Sequence, residues 1–391
     1  MANRPHIYIV AAEKSGDELG AKLAKSLKKQ TGGDIKLSAI GGTALAAQGL
    51  RSAIDISPLS ILGLVEGLKV YPVIMDRVRQ AVESIMNSGA DAVVLIDSWG
   101  FMIRVAKALK KRGFTGKIIK YVAPQVWAMR EGRSKILARH VDHLLTIHSF
   151  DAPYFTRHGL STDYVGNPVF DENFGASGGA ALRHEYKISE GAPVLVLLFG
   201  SRLSEIERLA KPFADAVELL KKQIPELTIV SPVSDTIAED VLAAAATDLR
   251  LQDVIFLGED RKLDCFAAAN AALACSGTVT TQLASAGIPT VVGYKLSTLT
   301  YFIGKRIFKP DYVSIVNIAA GQELMPEFLQ GDCTGENITS ALVPYLTNVD
   351  MRAQVSNALT MQVQNMRLGN NMSDSGSSSE RAAHAVLSII A

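Results

Sequence analysis

Cysteine is scarce in this sequence, and so is the chemistry that cysteine supports. Cys265, Cys275 and Cys333 are the only thiols in 391 residues. Their odd number excludes a fully paired disulfide framework, and their spacing fits no zinc motif. Reduced, buried thiols of a cytosolic chain are the expectation. An excess of one charge is also lacking. The formal net charge of +1 offers no global attraction for nucleic acid, so any electrostatic recognition must be local. No apolar run reaches the roughly 18 residues of a spanning helix. The opening "MANRP" leads into a five-residue apolar strand, which is too short for a signal-peptide core. His140, His143 and His148 follow no metal-ligand spacing, so neither metal nor cofactor is expected. There is no repeat with a period of roughly 20–50 residues.

What the chain does have is alternation. Apolar strand-like runs such as "HIYIV", "KLSAIGG", "DAVVLIDSWG", "KIIKYVAP" and "DHLLTIHS" alternate with amphipathic stretches. The pattern restarts at "APVLVLLFGSR" and continues through "LTIVSPV", "DVIFLG", "AALACSGT" and "PTVVGYK". Short apolar strands separated by helices predict parallel sheets covered on both faces. The polar, glycine-rich "FDENFGASGGAALRHEYKIS" reads as a hinge. Two Rossmann-like domains facing a central cleft are therefore expected, at 1–170 and 171–365. Residues 366–391 form a third piece, in which a mobile low-complexity linker precedes a short terminal helix.

Ligands of open α/β sheets sit at the carboxyl ends of the strands, so the turns there carry the functional reading. In "AAEKSGDELGAK", Ser15 or Asp17 caps the first helix, or Ser15 and Gly16 present amides to a polar ligand. "AVVLIDSWGF" puts Asp97 after a wholly apolar strand, where it is either a proton acceptor or a helix cap. In "LLFGSRLSEIERL", Gly200, Ser201 and Arg202 fall between strand and helix. That turn suits a diphosphate, unless Arg202 merely pairs with Glu205 or Glu207. "CSGTVTTQLASAGIP" repeats the arrangement with Ser276, Gly277 and Thr278. Trp127 either stacks on a sugar or fills a gap. Arg130, Arg133, Lys135 and Arg139 form a cationic stripe that is either a solvated face or an anion-binding one. "LSILGLVEGLKVYPVIMDRVRQ" is apolar nearly all round and reads as an interfacial membrane segment or a buried helix.

In this order, "EKSGDELGA", "LGLVEGL", "LIDSWGF", "APQVWAMREGR", "YVGNP", "GSRLSEI", "SGTVTTQLASAGIPTVVGYK" and "DYVSIVNIAAGQELMPEFLQ" resemble the lipid-A-disaccharide synthase family. These are inverting glycosyltransferases of GT-B type. The resemblance covers nearly the whole chain. It implies that UDP-2,3-diacylglucosamine condenses with 2,3-diacylglucosamine 1-phosphate (lipid X) to give the β-1,6-linked disaccharide and UDP, without a metal. It also implies Asp97 as base for the acceptor 6-hydroxyl and Arg202 as partner of the departing diphosphate. Gly200, Ser201, Ser276, Gly277 and Thr278 would surround that group. Asn317 and Gln282 would lie on the nucleotide side, with Ser15 and Gly16 facing them. The family usually has glutamate where this chain has Gln282, which weakens or redistributes the expected grip on uridine. Leu62, Leu64 and Val70 would contact the cytoplasmic face of the inner membrane as a peripheral anchor. Self-association is left open. Two other functions compete with this reading. One is a related GT-B enzyme, either a UDP-sugar epimerase or a transferase with another acceptor. The other is a non-catalytic protein that binds sugar nucleotide or lipid.

Overall fold

The computed structural model describes residues 4–57, 71–174, 178–235, 237–297, 308–369 and 376–391. Residues 1–171 together with 368–391 form one compact unit, and 172–367 form a second.

The first unit is built on six parallel strands: β1 (His6–Ala11), β2 (Lys36–Ile40), β3 (Ala92–Ile96), β4 (Lys117–Tyr121), β5 (His143–Thr146) and β6 (Ser161–Tyr164). They lie in the order β2-β1-β3-β4-β5-β6. The central strands β1 and β3 are buried along their length because both faces are covered, while the edge strands β2 and β6 are partly exposed. Tyr8, Val10, Val93 and Leu95 point into one core. Ile7, Ile9, Val94 and Ile96 point into the other. Among the helices, α1 (Lys14–Gln30) supplies Leu23 and Leu27 to the second core. The short α2 (Thr43–Ala47) follows β2. The helices α3 (Tyr71–Ser88) and α4 (Trp99–Lys111) cover the first core with Val82, Ile85, Met102 and Val105. A short α5 (Gly132–Ala138) follows β4.

The terminal helix, Ser378–Ile390, returns to this unit. A reciprocal capping box between Ser377 and Glu380 starts it. Its buried Ala382, Ala383 and Val386 complete the core under α1. Arg381 Nε donates to the Val165 carbonyl at 2.9 Å, and the Ser378 amide donates to the Asp171 carboxylate at 3.0 Å. Within the expected linker, residues 370–375 lie outside the described residues.

The second unit repeats the architecture with β7 (Val194–Leu198), β8 (Thr228–Val233), β9 (Ile255–Gly258), β10 (Ala271–Cys275), β11 (Thr290–Tyr294) and β12 (Glu327–Leu329). All are parallel, in the order β12-β11-β10-β7-β8-β9. The helices α6 (Leu203–Gln223), α7 (Thr278–Ser285), α8 (Ile315–Ala320) and α9 (Gly335–Thr347) flank it. Phe213 and Val217 of α6 and Ile338 and Leu342 of α9 pack with Leu195, Leu197 and Leu273 of the sheet.

Candidate functional site

In each sheet the strand order reverses once, and the crevice at such a reversal is where open α/β sheets take ligands. In the first unit the reversal lies between β1 and β3, whose last residues Ala11 and Ile96 pair. The chain leaves β1 through Lys14 and Ser15, both exposed, and Gly16, which is buried. A Cβ on Gly16 would stand 3.7 Å from the Ile96 carbonyl oxygen, so this turn rests against the end of β3. Neither Ser15 nor Asp17 caps α1. The cap position is Glu13, and it makes no side-chain bond. Asp17 acts elsewhere: its carboxylate accepts from the Gly42 and Ala44 amides at 2.7 Å and so holds the start of α2.

Asp97 follows β3 and is half-buried. Its φ is +49°, and that of Ser98 is +36°, two successive non-glycine residues in the left-handed region. Such conformations cost about 1–3 kcal/mol each and persist only where the surroundings enforce them. The Asp97 amide donates to the Tyr121 carbonyl at 2.9 Å. Beneath the turn, Lys120 Nζ donates to the carbonyls of Asp97 at 2.8 Å and Tyr121 at 2.9 Å. Lys120 is only 2% exposed. Burial holds its pKa down to about 7, opposed by the nearby negative charge of Asp97. Helix α4 begins with Ser98 at the cap position and no side-chain cap, so the Asp97 carboxylate is not spent on capping.

Along the same edge, Trp127 is buried and meets Phe150 edge-on at 5.4 Å, which is the geometry of a gap-filling ring. Arg133 lies over Trp99 at 5.1 Å. Arg130, Lys135 and Arg139 of the stripe are exposed.

In the second unit the reversal lies between β7 and β10, where Leu198 pairs with Ala274. Gly200 has φ +119°, and a Cβ there would come within 2.5 Å of the Glu205 carboxylate. Only glycine fits. Glu205 is 9% exposed. One of its oxygens accepts from the Ser201 amide at 2.9 Å and the other from Arg202 Nη1 at 3.1 Å. The Arg202 side chain is otherwise 75% exposed. This is the pairing weighed from the sequence, with one addition: an internal carboxylate occupies the anion-binding donors of the turn. Across the reversal, Ser276 is half-buried while Gly277 and Thr278 are exposed at the start of α7. Gln282 is half-buried one turn further along that helix.

Asn317, expected to face a nucleotide, is fully buried, and its amide is committed internally. Its nitrogen donates to the Met325 carbonyl at 2.7 Å and to Glu327 at 2.8 Å. Its oxygen accepts from the Leu324 and Met325 amides at 2.8 and 3.0 Å. Glu327 also accepts from the amides of Val313 and Ser314 at 2.7 and 2.9 Å. Ser276 Oγ donates to the Val313 carbonyl at 3.2 Å, so this network braces the Ser276 turn from behind. Sequence reasoning missed Lys120 and Glu327 in these roles, and the Ser201 amide as a second donor to Glu205. The available signals were a lysine inside an apolar strand and acids within reach of helix starts.

Among the described residues no cluster of three or more His, Cys, Asp or Glu is placed to hold a metal. The three thiols are buried and unpaired with one another. Burial pushes Cys265 up to about 12, away from the thiolate that nucleophilic chemistry needs. A cavity of about 520 Å³ opens beside Tyr8 and Ser38 of the strands, Arg51 after α2 and Ser84 of α3, away from the turns described above.

Leu62, Leu64 and Val70 lie outside the described residues. The start of α3, next to them in sequence, exposes Tyr71, Val73 and Met75, and Met129 and Ile136 are exposed nearby along the chain from Arg133. Arg104 of α4 stacks over Tyr71 at 5.7 Å. Arg77 and Arg79 are paired with Asp76 at 3.3 and 2.6 Å. No helix among the described residues is long and apolar enough to cross a membrane.

The family pattern described as lipid-A-disaccharide synthetase matches residues 7–380. A lipid-A-disaccharide synthase of Paramagnetospirillum magneticum is 38% identical over 386 residues, spanning 98% of this chain and 97% of the relative. One of Rhodospirillum centenum is 36% identical, spanning 98% and 94%. Among solved structures, the UDP-GlcNAc 2-epimerase of Neisseria meningitidis bound to UDP-GlcNAc superposes with a TM-score of 0.65 at 11% identity, covering 98% of this chain and all of that one. The corresponding epimerase of Methanocaldococcus jannaschii, in complex with UDP-GlcNAc and UDP, gives 0.55 at 12%, covering 98% and 99%. These two likenesses are of fold.

Proposed function

The chain belongs to the lipid-A-disaccharide synthase family and is a glycosyltransferase that forms the lipid A disaccharide; we propose that its two strand-order reversals divide that chemistry between them. The first unit carries the acceptor, a diacylglucosamine 1-phosphate, and the second carries the UDP-diacylglucosamine. Asp97 takes the proton of the acceptor 6-hydroxyl as that oxygen attacks C1 of the donor sugar. The C1–oxygen bond to the diphosphate breaks with inversion, and UDP leaves with the bonding pair. Asp97 then gives its proton to solvent.

Arg202 and the turns at Gly200–Ser201 and Ser276–Thr278 meet the charge that develops on the leaving diphosphate. Donors already oriented toward developing charge are the main source of stabilisation in such a step. The observation that carries this reading is the use made of the two reversals. One holds a carboxylate in a strained turn where it caps no helix. The other holds backbone and guanidinium donors already bound to an internal anion, Glu205. A diphosphate replaces that carboxylate in this account. Asn317 and Glu327 serve the nucleotide side indirectly, by bracing the Ser276 turn. Gln282 stands one helical turn beyond Thr278 and offers the ribose an amide.

Both substrates carry acyl chains, so the protein works at the cytoplasmic face of the inner membrane as a peripheral protein. The exposed Tyr71, Val73 and Met75 extend the apolar segment that contains Leu62, Leu64 and Val70. Arg130, Lys135 and Arg139 supply cations for anionic headgroups.

The test is turnover. Purified protein with both diacyl substrates should release one UDP for each disaccharide formed. Binding of UDP without its release from the donor in the presence of acceptor would overturn the assignment.

A further inference from the structure

We propose that Lys120 is a positioning residue for the transfer reaction: its side-chain nitrogen anchors the backbone of the Asp97–Ser98 turn and so aims the Asp97 carboxylate. This rests on the reading of Asp97 as the base.

A lysine has no ordinary reason to occupy this place. Its neighbours in β4 are Ile118, Ile119 and Tyr121, all fully buried. Tyr121 points into one core and Ile118 into the other, which puts Lys120 on the Ile118 face. Among the described residues it forms no ion pair, and the charged group that faces it is Asp97. For packing alone, an apolar side chain of similar volume would do as well or better, since a buried charge is costly to desolvate.

What the lysine nitrogen does that a methionine cannot is donate to two carbonyls. Both strands turn left-handed immediately after Lys120 reaches them, at Asp97 and Ser98 beyond β3 and at Val122 (φ +71°) beyond β4. The bonds close a ring across the two strands. The Asp97 amide donates to the Tyr121 carbonyl at 2.9 Å. Lys120 donates to that same carbonyl at 2.9 Å and to the Asp97 carbonyl at 2.8 Å. Amide and carbonyl of Asp97 are thus both fixed, and the strained φ is enforced from beneath. The carboxylate inherits its direction from that backbone. A small misplacement of a reacting group suffices to slow a reaction by up to about 100-fold.

The experiment is a double-mutant cycle on turnover, with Lys120→Met, Asp97→Asn and the combination, each checked for UDP affinity and thermal unfolding. Lys120→Met should stay folded and bind UDP as the wild type does. Its kcat should fall about 10–100-fold with KM nearly unchanged. In the Asp97→Asn protein the same lysine substitution should cost less than about threefold, because residues acting through one another are not additive. Lys120→Gln, which keeps a donor, should recover part of the loss and stands in if the methionine variant fails to fold. Wild-type kcat in Lys120→Met would overturn the proposal, as would an undiminished effect in the Asp97→Asn background or loss of folding in both lysine variants. Full activity of Asp97→Asn alone would instead remove the reading of the base on which the proposal stands.

Discussion

Replacing Lys120 by methionine should make the pH dependence of stability flatter, and the structure gives the size of the effect. The lysine is fully enclosed, and burial lowers its pKa from 10.5 to about 7. Between these two values the unfolded chain holds a proton that the folded chain has released. Stability therefore rises with pH through this window, and the contribution is lost as pH falls to about 7. The gap of about 3.5 in pKa corresponds to on the order of 4–5 kcal/mol in full, at about 1.4 kcal/mol for each pH unit. From pH 7 to 9 the wild type should gain about 2–3 kcal/mol over Lys120→Met, roughly a 1 M difference in urea midpoint. At pH 6 and below, where the lysine is charged in both states, the difference should be constant and the variant the more stable of the two. Both tryptophans of the chain, Trp99 and Trp127, lie in the first unit. Urea unfolding followed by tryptophan fluorescence at pH 6, 7, 8 and 9 therefore reports on the unit that contains Lys120. Other titrating groups contribute equally to both proteins and cancel in the difference. A difference that stays constant from pH 6 to 9, or reverses sign, would refute the reasoning.

Three further outcomes follow from the geometry. Arg202→Ala should weaken UDP binding about tenfold or more and slow turnover, with Arg202→Lys restoring only part, because a point charge lacks the planar fork; isothermal titration with UDP checks this, and unchanged affinity would leave Arg202 as a partner of Glu205 alone. Asn317→Ala should destabilise the second unit by about 2–4 kcal/mol, since it removes the side-chain partner of the Leu324 and Met325 amides and of the Met325 carbonyl, and thermal unfolding should show the loss whether or not UDP is present. Replacing the exposed Tyr71, Val73 and Met75 by serine should leave the melting temperature nearly unchanged while reducing co-sedimentation with anionic vesicles; unaltered binding would place the membrane contact elsewhere.

The two sheets were legible in the sequence because their central strands are buried on both faces and so read as uninterrupted apolar runs, as "AVVLI" and "VLVLL" do. The turns at Asp97, Gly200 and Ser276 were legible for a related reason: a strand ends abruptly where polar or glycine residues begin. Long-range hydrogen bonding was not legible. Asp17 sits where a cap of its own helix is expected, yet its carboxylate serves amides 25–28 positions away. Asn317 looks like a ligand residue in sequence, and only the fold shows that Met325 and Glu327 take both halves of its amide. Lys120 was hidden by the pattern "KIIKY", in which its charge reads as solvent-facing. Its burial follows from α3 and α4 covering that face of the sheet, a fact that no local window contains.

The measurement that bears most directly on the central claim is turnover of Asp97→Asn with UDP-diacylglucosamine and diacylglucosamine 1-phosphate in detergent, alongside its affinity for UDP. Asparagine preserves the shape of the side chain and removes the base. The account predicts a fall in kcat of about 100-fold or more, with UDP affinity and melting temperature close to those of the wild type. Turnover within about twofold of the wild type, in a folded protein that binds UDP normally, would contradict proton transfer to Asp97.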